Sequence, residues 1–233
     1  MFGHMAQLLH AQIAERLRSM VLAAPGAILP GEVNLAGRWR VSRATVRQAF
    51  ATLVAEGLVE RRRRVGTVAR PLTSRLDAWQ GFRAELSDRG ITVVDHRAAF
   101  RRGLPPVAAA AALGVDRKAR LWCLERVRGD AQGPLVRFVS WFAPAVPISA
   151  DDDPHGELWV RLGGRGCAPA RSQEEIRAVA ADAATGAALD CAAGDPVLER
   201  RRLVSDAAGA ALEWNLGWYR SDRFALSLDL EAR

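Results

Sequence analysis

The segment Val41–Arg64 constrains the fold more than any other part of this chain. Its sequence is VSRATVRQAFATLVAEGLVERRRR. Ser42 is a favoured N-cap residue, apolar residues then recur at helical spacing, and Gly57 stands where a C-cap glycine is expected. The pattern predicts a helix over 43–56, followed directly by a basic strand. The apolar face of that helix is predicted to bury Val46, Phe50, Leu53 and Val54.

Helix and strand patterns surround this segment. Apolar residues at every fourth position predict a helix over 6–23, and Pro25–Gly31 interrupts it. Those apolar residues are Leu9, Ile13, Leu17 and Val21. A short second helix is predicted near Val33–Trp39. Leu58–Arg62 and Val65–Arg70 have strand patterns and predict a small hairpin.

The helix over 43–56 carries residues suited to reading DNA. Arg43 and Arg47 are four residues apart and therefore share one helix face, with Thr45 between them near the N-terminal end. An arginine in the major groove can pair through two hydrogen bonds with a guanine edge, and backbone N–H groups at a helix start can hold a phosphate. Two helices, a turn, a third helix and a basic hairpin predict a winged helix-turn-helix domain that binds double-stranded DNA.

The tip of the hairpin adds a second cationic surface. The run Arg61–Arg64 and the three residues after it are predicted to contact phosphates or to enter the minor groove, and Gly66 supplies the backbone freedom of such a tip. For any single arginine, a solvated basic face is the alternative. The predicted DNA-contacting residues are Arg38, Ser42, Arg43, Thr45, Arg47, Arg62, Arg63, Arg64, Gly66 and Thr67.

Net charge is distributed unevenly along the chain. Residues 1–70 hold 11 arginines and 4 glutamates, a formal charge of +7, and the charges of residues 71–233 cancel. A cationic module joined to a neutral one indicates a polyanion-binding domain attached to a second domain. Lys118 is the single lysine of the sequence, so the preference for arginine is chain-wide and is weak evidence for phosphate binding by itself.

Composition argues against several classes of protein. No apolar run approaches the roughly 18 residues that a membrane helix requires, and no signal-peptide pattern precedes the first helix. Cys123, Cys167 and Cys191 fit neither a disulfide framework nor a metal-ligand spacing. We therefore expect a cytoplasmic protein that has no membrane association, no metal and no cofactor.

The pattern changes after the hairpin. We expect a DNA-binding domain over 1–70, a linker over 71–77 and a second domain over 78–233. Strand patterns separated by short helices in the second domain predict an antiparallel sheet with interspersed helices, an α+β fold. The predicted strands are Ile91–Arg101, Leu121–Arg128, Leu135–Phe142, Arg171–Val179, Val197–Ser205, Ala210–Tyr219 and Phe224–Leu230. The predicted helices are Trp79–Arg89, Pro106–Leu113, Glu157–Leu162 and Ala181–Leu189.

Residues 7–70 resemble the winged-helix domain of GntR-type bacterial transcription regulators. The matching motifs are QIAERL (12–17), LPGE (29–32), LA (35–36), VSRATVRQA (41–49), LxxEGLV (53–59) and RxVGT (63–67). The resemblance implies that Arg43 and Arg47 contact operator bases and phosphates. A basic or polar residue often follows the glutamate of the LPGE motif in this family. Val33 stands there in this chain, so we expect one phosphate contact fewer.

The remaining chain resembles the UTRA effector-binding domain of the HutC subfamily, whose fold is similar to that of chorismate lyase. The matching motifs are FxxELxxxG (82–90), ALGV (112–115), ERVR (125–128), GPL (133–135), ExIxA (174–178), GDPVLERRR (194–202) and EWNxGWYRSDRF (213–224). The resemblance implies that this domain binds a small metabolite that weakens DNA binding. It also implies that Glu213 and Tyr219 approach the ligand.

Arg126 and Arg128 alternate along a predicted strand, so their side chains point to the same face of the sheet. Two guanidinium groups on an otherwise apolar face are costly unless an anion compensates them. The resemblance implies that they hold the acidic group of the effector. The alternative is a structural ion pair with Glu199 or Glu213.

Some positions depart from the pattern of members that bind sugar phosphates. Gly81 and Glu157 stand where those members tend to have serines, and Phe138–Ser140 stand where a glutamate is often found. A carboxylate at Glu157 would repel a phosphate and favour an amine or a hydroxyl group. We therefore expect an effector of the carboxylate, amine or phosphonate type more than a sugar phosphate.

The sequence favours a metabolite-responsive regulator, most simply a repressor that its effector releases from the operator. A homodimer on a palindromic operator is expected because one recognition helix reads few bases. Activation stays open. A lyase-like enzyme fused to a DNA-binding domain is the alternative, since the second domain resembles a lyase fold. Against it, His96 and His155 lie in no recognisable acid–base pattern. A structural DNA-binding protein without a ligand is a third possibility.

Overall fold

A computed structural model describes residues 2–70, 72–75, 82–87 and 91–227 of the chain. The chain divides into two compact units. The first comprises Met1–Leu76 together with Asp222–Arg233, and the second comprises Asp77–Ser221.

Three helices form the body of the first unit: α1 (Phe2–Ala23), α2 (Glu32–Trp39) and α3 (Arg43–Ala55). Helix α1 therefore starts earlier than the predicted residue 6. Its apolar stripe packs against α3, and the buried side chains of the two helices include Ile13, Leu17, Val21, Val46, Ala49, Phe50 and Leu53. Leu9, also predicted on the apolar face, is 40% exposed.

The prediction that Val54 is buried was wrong, since its side chain is 42% exposed. Val46, Phe50 and Leu53 lie three or four residues apart and form one stripe along α3. Consecutive helical residues are rotated by about 100° from each other, which carries Val54 off the stripe that faces α1.

Local hydrogen bonds set both ends of α3, as predicted. The Ser42 hydroxyl oxygen accepts a hydrogen bond from the backbone N–H of Thr45 at 3.0 Å. At the other end, Gly57 has φ of +71°. Its N–H donates to the Val54 carbonyl at 3.0 Å, and the Leu58 N–H donates to the Leu53 carbonyl at 2.9 Å. These two bonds form a Schellman motif, which satisfies carbonyl groups that the helix end leaves open.

The predicted hairpin consists of β1 (Val59–Arg62) and β2 (Gly66–Ala69), which pair antiparallel with Arg62 opposite Gly66. Residues 63–65 form the turn. Strand β3 (Leu72–Arg75) then lies inside the segment predicted as a linker, so that segment is not entirely irregular.

The second unit is built on one antiparallel sheet. Its elements are α4 (Phe82–Ser87), β4 (Val94–Gly103), α5 (Val107–Ala112), β5 (Leu121–Asp130), β6 (Gly133–Phe142), α6 (Leu158–Gly163), β7 (Arg171–Ala180), α7 (Ala183–Leu189), β8 (Pro196–Ser205) and β9 (Ala211–Arg220). The six strands are ordered β4-β5-β6-β9-β8-β7. The expected α+β architecture is confirmed. The ends of the helix predicted over 79–89 lie outside the described residues.

The hairpin between β5 and β6 requires a glycine. A Cβ atom on Gly129 would lie 2.0 Å from the Gly133 carbonyl oxygen, which is far inside van der Waals contact. The register of the two strands shifts between Arg128 and Gly129. The backbones therefore approach each other closely at this bulge, and no larger residue fits there.

The last strand is not part of the six-stranded sheet, which corrects the prediction for Phe224–Leu230. Strand β10 (Phe224–Ser227) pairs in parallel with β3. Strand β9 already has β6 on one side and β8 on the other. A strand that follows β9 through a short turn therefore finds no free edge beside it. Asp222–Arg233 accordingly cluster with the first unit, although the sequence pattern assigned them to the second domain.

No helix in the described part of the chain is long and apolar enough to cross a membrane. Within the same residues, no group of three or more histidine, cysteine or acidic side chains is arranged to hold a metal ion.

Candidate DNA-contacting and ligand-binding surfaces

The N-terminal end of α3 presents the first candidate surface. Arg43 and Arg47 are exposed on this helix, and Ser42 is exposed at its N-cap. Thr45 is half-buried, with its hydroxyl oxygen 2.8 Å from that of Ser42. The exposed Arg38 lies in the last turn of α2. Cations and hydroxyl groups therefore surround a helix start whose backbone N–H groups favour anions.

Glu32 joins this surface to the hairpin, a contact that the sequence analysis missed. Its two carboxylate oxygens accept hydrogen bonds from Arg47 and Arg61, each at 3.1 Å. The Glu32 side chain is 21% exposed, whereas the two arginines are 60% and 55% exposed. One carboxylate thus fixes an arginine of α3 beside an arginine of β1. The only sequence signal for this contact is the glutamate of the LPGE motif.

The hairpin tip presents the remaining predicted cations. Arg62 pairs with Glu60, and Arg63 and Arg64 are exposed in the turn. Arg64 has φ of +65°, a left-handed conformation that is uncommon for a residue other than glycine. Gly66 has φ of +119°, which only glycine adopts readily. The exposed Gly66 and the half-buried Thr67 begin β2.

The second candidate surface is one face of the six-stranded sheet, here called the arginine face. Directly opposed residues of neighbouring strands point to the same side. The first such row is Arg126, Phe138, Gly217 and Arg200. The next is Arg128, Val136, Tyr219 and Leu198. Glu213 precedes Gly217 by four positions on β9 and shares this side. Four of the five predicted effector residues, Arg126, Arg128, Glu213 and Tyr219, are therefore on the arginine face.

Arg126 and Arg128 converge on one loop that precedes α6. Arg126 donates hydrogen bonds to the carbonyls of Pro154 and Gly156 at 2.8 and 3.0 Å. Arg128 donates to the carbonyl of His155 at 3.1 Å. Three consecutive backbone oxygens thus accept hydrogen bonds from two guanidinium groups.

Asp95 is the carboxylate partner of Arg128, which the sequence analysis did not identify. Arg128 is 3% exposed and its Nε lies 2.7 Å from Asp95 Oδ1. Asp95 also pairs with Arg83, and its other oxygen lies 3.5 Å from Nδ1 of His155. The alternative of a structural ion pair therefore holds for Arg128, but the partner is Asp95 and not Glu199 or Glu213. Glu199 pairs with Arg201 instead.

Arg126 has no ion-pair partner among the described residues. Burial, and then the neighbouring charge of Arg128, lower the pKa of Arg126 to about 10. The charges of Glu213 and Glu157 act in the opposite direction. Arg126 is therefore a desolvated cation whose hydrogen bonds go to backbone carbonyls and whose charge is offset only in part by nearby carboxylates. A ligand anion could accept a charge-assisted hydrogen bond from it.

The other predicted effector residues have different surroundings. Glu213 is 6% exposed and accepts a hydrogen bond from Nε1–H of Trp159 at 3.1 Å. Glu157 is exposed at the N-cap of α6 and its side chain caps no backbone N–H. Tyr219 is buried, and burial raises the pKa of its hydroxyl. Its oxygen accepts from Arg200 at 3.4 Å.

A polar network occupies the β7–β8–β9 side of the arginine face. Arg200 donates two hydrogen bonds to Glu174, at 2.5 and 2.7 Å. Arg202 donates to the hydroxyl of Ser172 at 3.0 Å. These groups are largely compensated by one another. On this side of the face the cations are therefore paired with a carboxylate, whereas Arg126 is bound by backbone carbonyls.

Each of the two units matches a known protein family. The model of the bacterial regulatory proteins of the gntR family matches residues 9–68, and that of the UTRA domain matches residues 92–225.

Individual proteins match over nearly the whole chain. The HTH-type transcriptional repressor PhnF of Mycolicibacterium smegmatis is 28% identical over 97% of this chain and 93% of its own length. The HTH-type transcriptional regulator Rv0792c of Mycobacterium tuberculosis is 30% identical over 94% of this chain and 84% of its own. The crystal structure of PhnF superposes with a TM-score of 0.67 at 25% identity, over 95% of this chain and all of PhnF. These relatives are regulators rather than enzymes, which argues against a fused lyase. The chain therefore belongs to the GntR family of bacterial transcription regulators, within the group that carries a UTRA domain.

Proposed function

We propose that this regulator binds an inverted-repeat operator as a homodimer and that a small acidic effector on the arginine face releases it. Three of the similar proteins are named as repressors, which favours repression as the direction of control. A regulator that acts on chromosomal DNA works in the bacterial cytoplasm, and we assign this one to that compartment.

The DNA-binding half of the proposal rests on α3 and the hairpin. Arg43 and Arg47 are exposed at the end of α3 that enters the major groove in helix-turn-helix proteins. The formal charge of +7 in residues 1–70 supplies the attraction for phosphates. The other predicted contacts, from Arg38 to Thr67, are proposed as phosphate-contacting or minor-groove residues around this helix.

The effector-binding half rests on one observation. Arg126 is a desolvated cation whose hydrogen bonds go to the carbonyls of Pro154 and Gly156, with Arg128 beside it. A ligand carboxylate or phosphonate would replace these dipoles with a full negative charge. We assign Glu213, Tyr219 and Glu157 to the surroundings of the same ligand.

The symmetry of an inverted-repeat operator favours a dimer. One recognition helix reads too few base pairs for specificity in a genome, so two copies reading two half-sites are expected. Strand β7 lies at one edge of the six-stranded sheet, where β8 is its single neighbour in that sheet. We assign the dimer contact to the second unit, with this strand edge as a candidate.

The test of effector control uses the full chain and a fluorescent DNA duplex that it binds specifically. Small carboxylates, amines and phosphonates are added one at a time, and DNA release is followed by anisotropy. The double variant Arg126→Gln plus Arg128→Gln is expected to bind the duplex like the unmodified protein and to lose the response to the releasing compound. Thermal melting checks that the variant is folded. An unchanged response in the folded variant would show that the effector does not bind at the arginine face.

A further inference from the structure

We infer that the effector is a monocarboxylic acid that carries an apolar ring or branched chain next to its carboxylate, and not a polyhydroxylated compound. This inference rests on the proposal that the arginine face binds the effector. It narrows the chemical class of that ligand from the side chains that surround Arg126.

The charges around Arg126 disfavour a ligand that carries two negative charges. Arg126 and Arg128 supply two cations, and Asp95 already pairs with Arg128 and Arg83. Glu213 and Glu157 both act on Arg126 through their charges. A carboxylate that accepts a hydrogen bond from Arg126 would add one negative charge beside the two glutamates. A phosphate monoester, which carries close to two charges at neutral pH, would meet more repulsion from the two glutamates.

The neighbours of the cation are aromatic. Phe138 is directly opposite Arg126 in the strand register, and side chains so placed have Cβ atoms about 4.5–5.5 Å apart. The Phe138 ring packs edge-on against Phe82 and Tyr219, with centroid distances of 5.8 and 5.7 Å. Phe82 and Phe138 are only half-buried. Apolar ring surface therefore remains available beside the guanidinium group.

Gly217 is necessary for this aromatic wall. A Cβ atom at this position would lie 3.0 Å from the Tyr219 ring and 3.1 Å from the Phe138 ring. Because the glycine has no side chain, both rings lie close to β9. The sheet therefore places rings at the centre of the arginine face, next to Arg126.

The polar groups that a sugar would need are engaged with one another. The Tyr219 hydroxyl accepts from Arg200, and Arg200 is held by both oxygens of Glu174. Asn215 donates to the hydroxyl of Ser140 at 2.8 Å, and both side chains are buried. Sugar hydroxyls placed against the phenylalanine rings would lose hydrogen bonds to water without full replacement, which disfavours their binding.

The experiment compares two acids that share a carboxylate and differ in the rest of the molecule. Binding of phenylacetate and of gluconate to the full chain is measured by isothermal titration and by thermal shift. Glucose 6-phosphate serves as the sugar-phosphate probe. Phenylacetate is expected to bind on the order of tenfold or more tightly than gluconate, since a site that fits apolar groups discriminates by at least this factor.

Three test variants and one control variant locate the binding. Phe138→Ala is expected to weaken the binding of phenylacetate about tenfold or more. Phe82→Ala removes a second ring, which lies on helix α4, and is expected to weaken the binding as well. Val139→Ala is the matched control, because Val139 follows Phe138 on β6 and points to the opposite side of the sheet. Arg126→Gln is expected to abolish the binding of phenylacetate.

The outcomes separate this inference from the proposed function. Tighter binding of gluconate or of glucose 6-phosphate, lost in Arg126→Gln, would overturn the chemical class and leave the arginine face as the effector site. Phenylacetate binding that persists in Arg126→Gln would overturn both. A failure of phenylacetate to bind would also reject the chemical class. Weakening in the two phenylalanine variants, with no change in Val139→Ala, would support it.

Discussion

Two single residues, Glu32 and Asp95, organise the candidate surfaces although neither was among the predicted site residues. Each is an acidic side chain that holds two arginines from different elements. Glu32 is near the surface, where an ion pair stabilises a fold by only about 0–1 kcal/mol. Its role is therefore the orientation of Arg47 and Arg61 more than the stability of the unit.

Removal of the Glu32 charge is expected to increase non-specific DNA affinity. Glu32→Gln frees Arg47 and Arg61 and removes one negative charge that faces the phosphates. The salt dependence of binding to a random duplex should steepen by about one unit of log–log slope. Discrimination between the operator and the random duplex should fall, because Arg47 is held less firmly.

Anisotropy titrations over a range of salt concentrations measure both effects. Glu15→Gln is the matched control, since Glu15 is exposed on α1 and pairs with Arg18. If Glu32→Gln and Glu15→Gln give the same slope and the same discrimination, Glu32 does not orient the DNA-contacting arginines.

The protonation state of Arg126 decides whether the arginine face attracts an anion. Burial and the charge of Arg128 lower its pKa to about 10. That value is still far above neutral pH, so Arg126 remains protonated when it meets a ligand. An anion is therefore attracted across the physiological range, and no response of Arg126 to a change between pH 6 and 8 is expected.

Among the elements, α3 and the hairpin were predicted well because their signals are local. Ser42 and Gly57 set the ends of α3 through contacts within a few residues. Contacts that depend on distant residues were not predictable. The residues of the Glu32–Arg61 pair are 29 positions apart, and those of the Asp95–Arg128 pair are 33 apart.

The prediction for strand β10 was wrong for a related reason. Its alternation indicates a strand but does not name the partner, which depends on which sheet edges are free. Phe138 shows the same limit within the site. The sequence places it on a strand near Arg126, but only the register makes the two side chains direct neighbours.

The hairpin tip is an element whose role can be tested as a whole. The double variant Arg63→Ala plus Arg64→Ala removes two exposed cations and should weaken binding to all DNA sequences alike. The salt slope should decrease by up to about two units if both arginines contact phosphates. The control Arg16→Ala plus Arg70→Ala removes the same charge from exposed positions outside the tip.

Binding is measured on the operator, on operators with single base changes and on random DNA. A loss confined to operators that keep one particular base pair would mean that the tip reads a base. In that event the tip would contribute to specificity, and the phosphate role would be rejected.

At the scale of the whole molecule, the two units differ in how their arginines are used. The first 70 residues carry the entire formal excess of +7, and several of their arginines are exposed. In the second unit, arginines such as Arg128 and Arg200 are buried or half-buried in networks with carboxylates. One unit is thus suited to a polyanion, and the other to a single small anion.

Selection of DNA ligands from a random pool shows most directly whether α3 reads an operator in a symmetric assembly. The full chain, the variant Arg43→Ala and the control Arg16→Ala are each used to select duplexes from a random pool, and the retained duplexes are sequenced. The unmodified protein and Arg16→Ala are expected to enrich one inverted repeat, whereas Arg43→Ala, confirmed to be folded, should enrich none. Enrichment of the same repeat by Arg43→Ala, or of no repeat by the unmodified protein, would contradict the account.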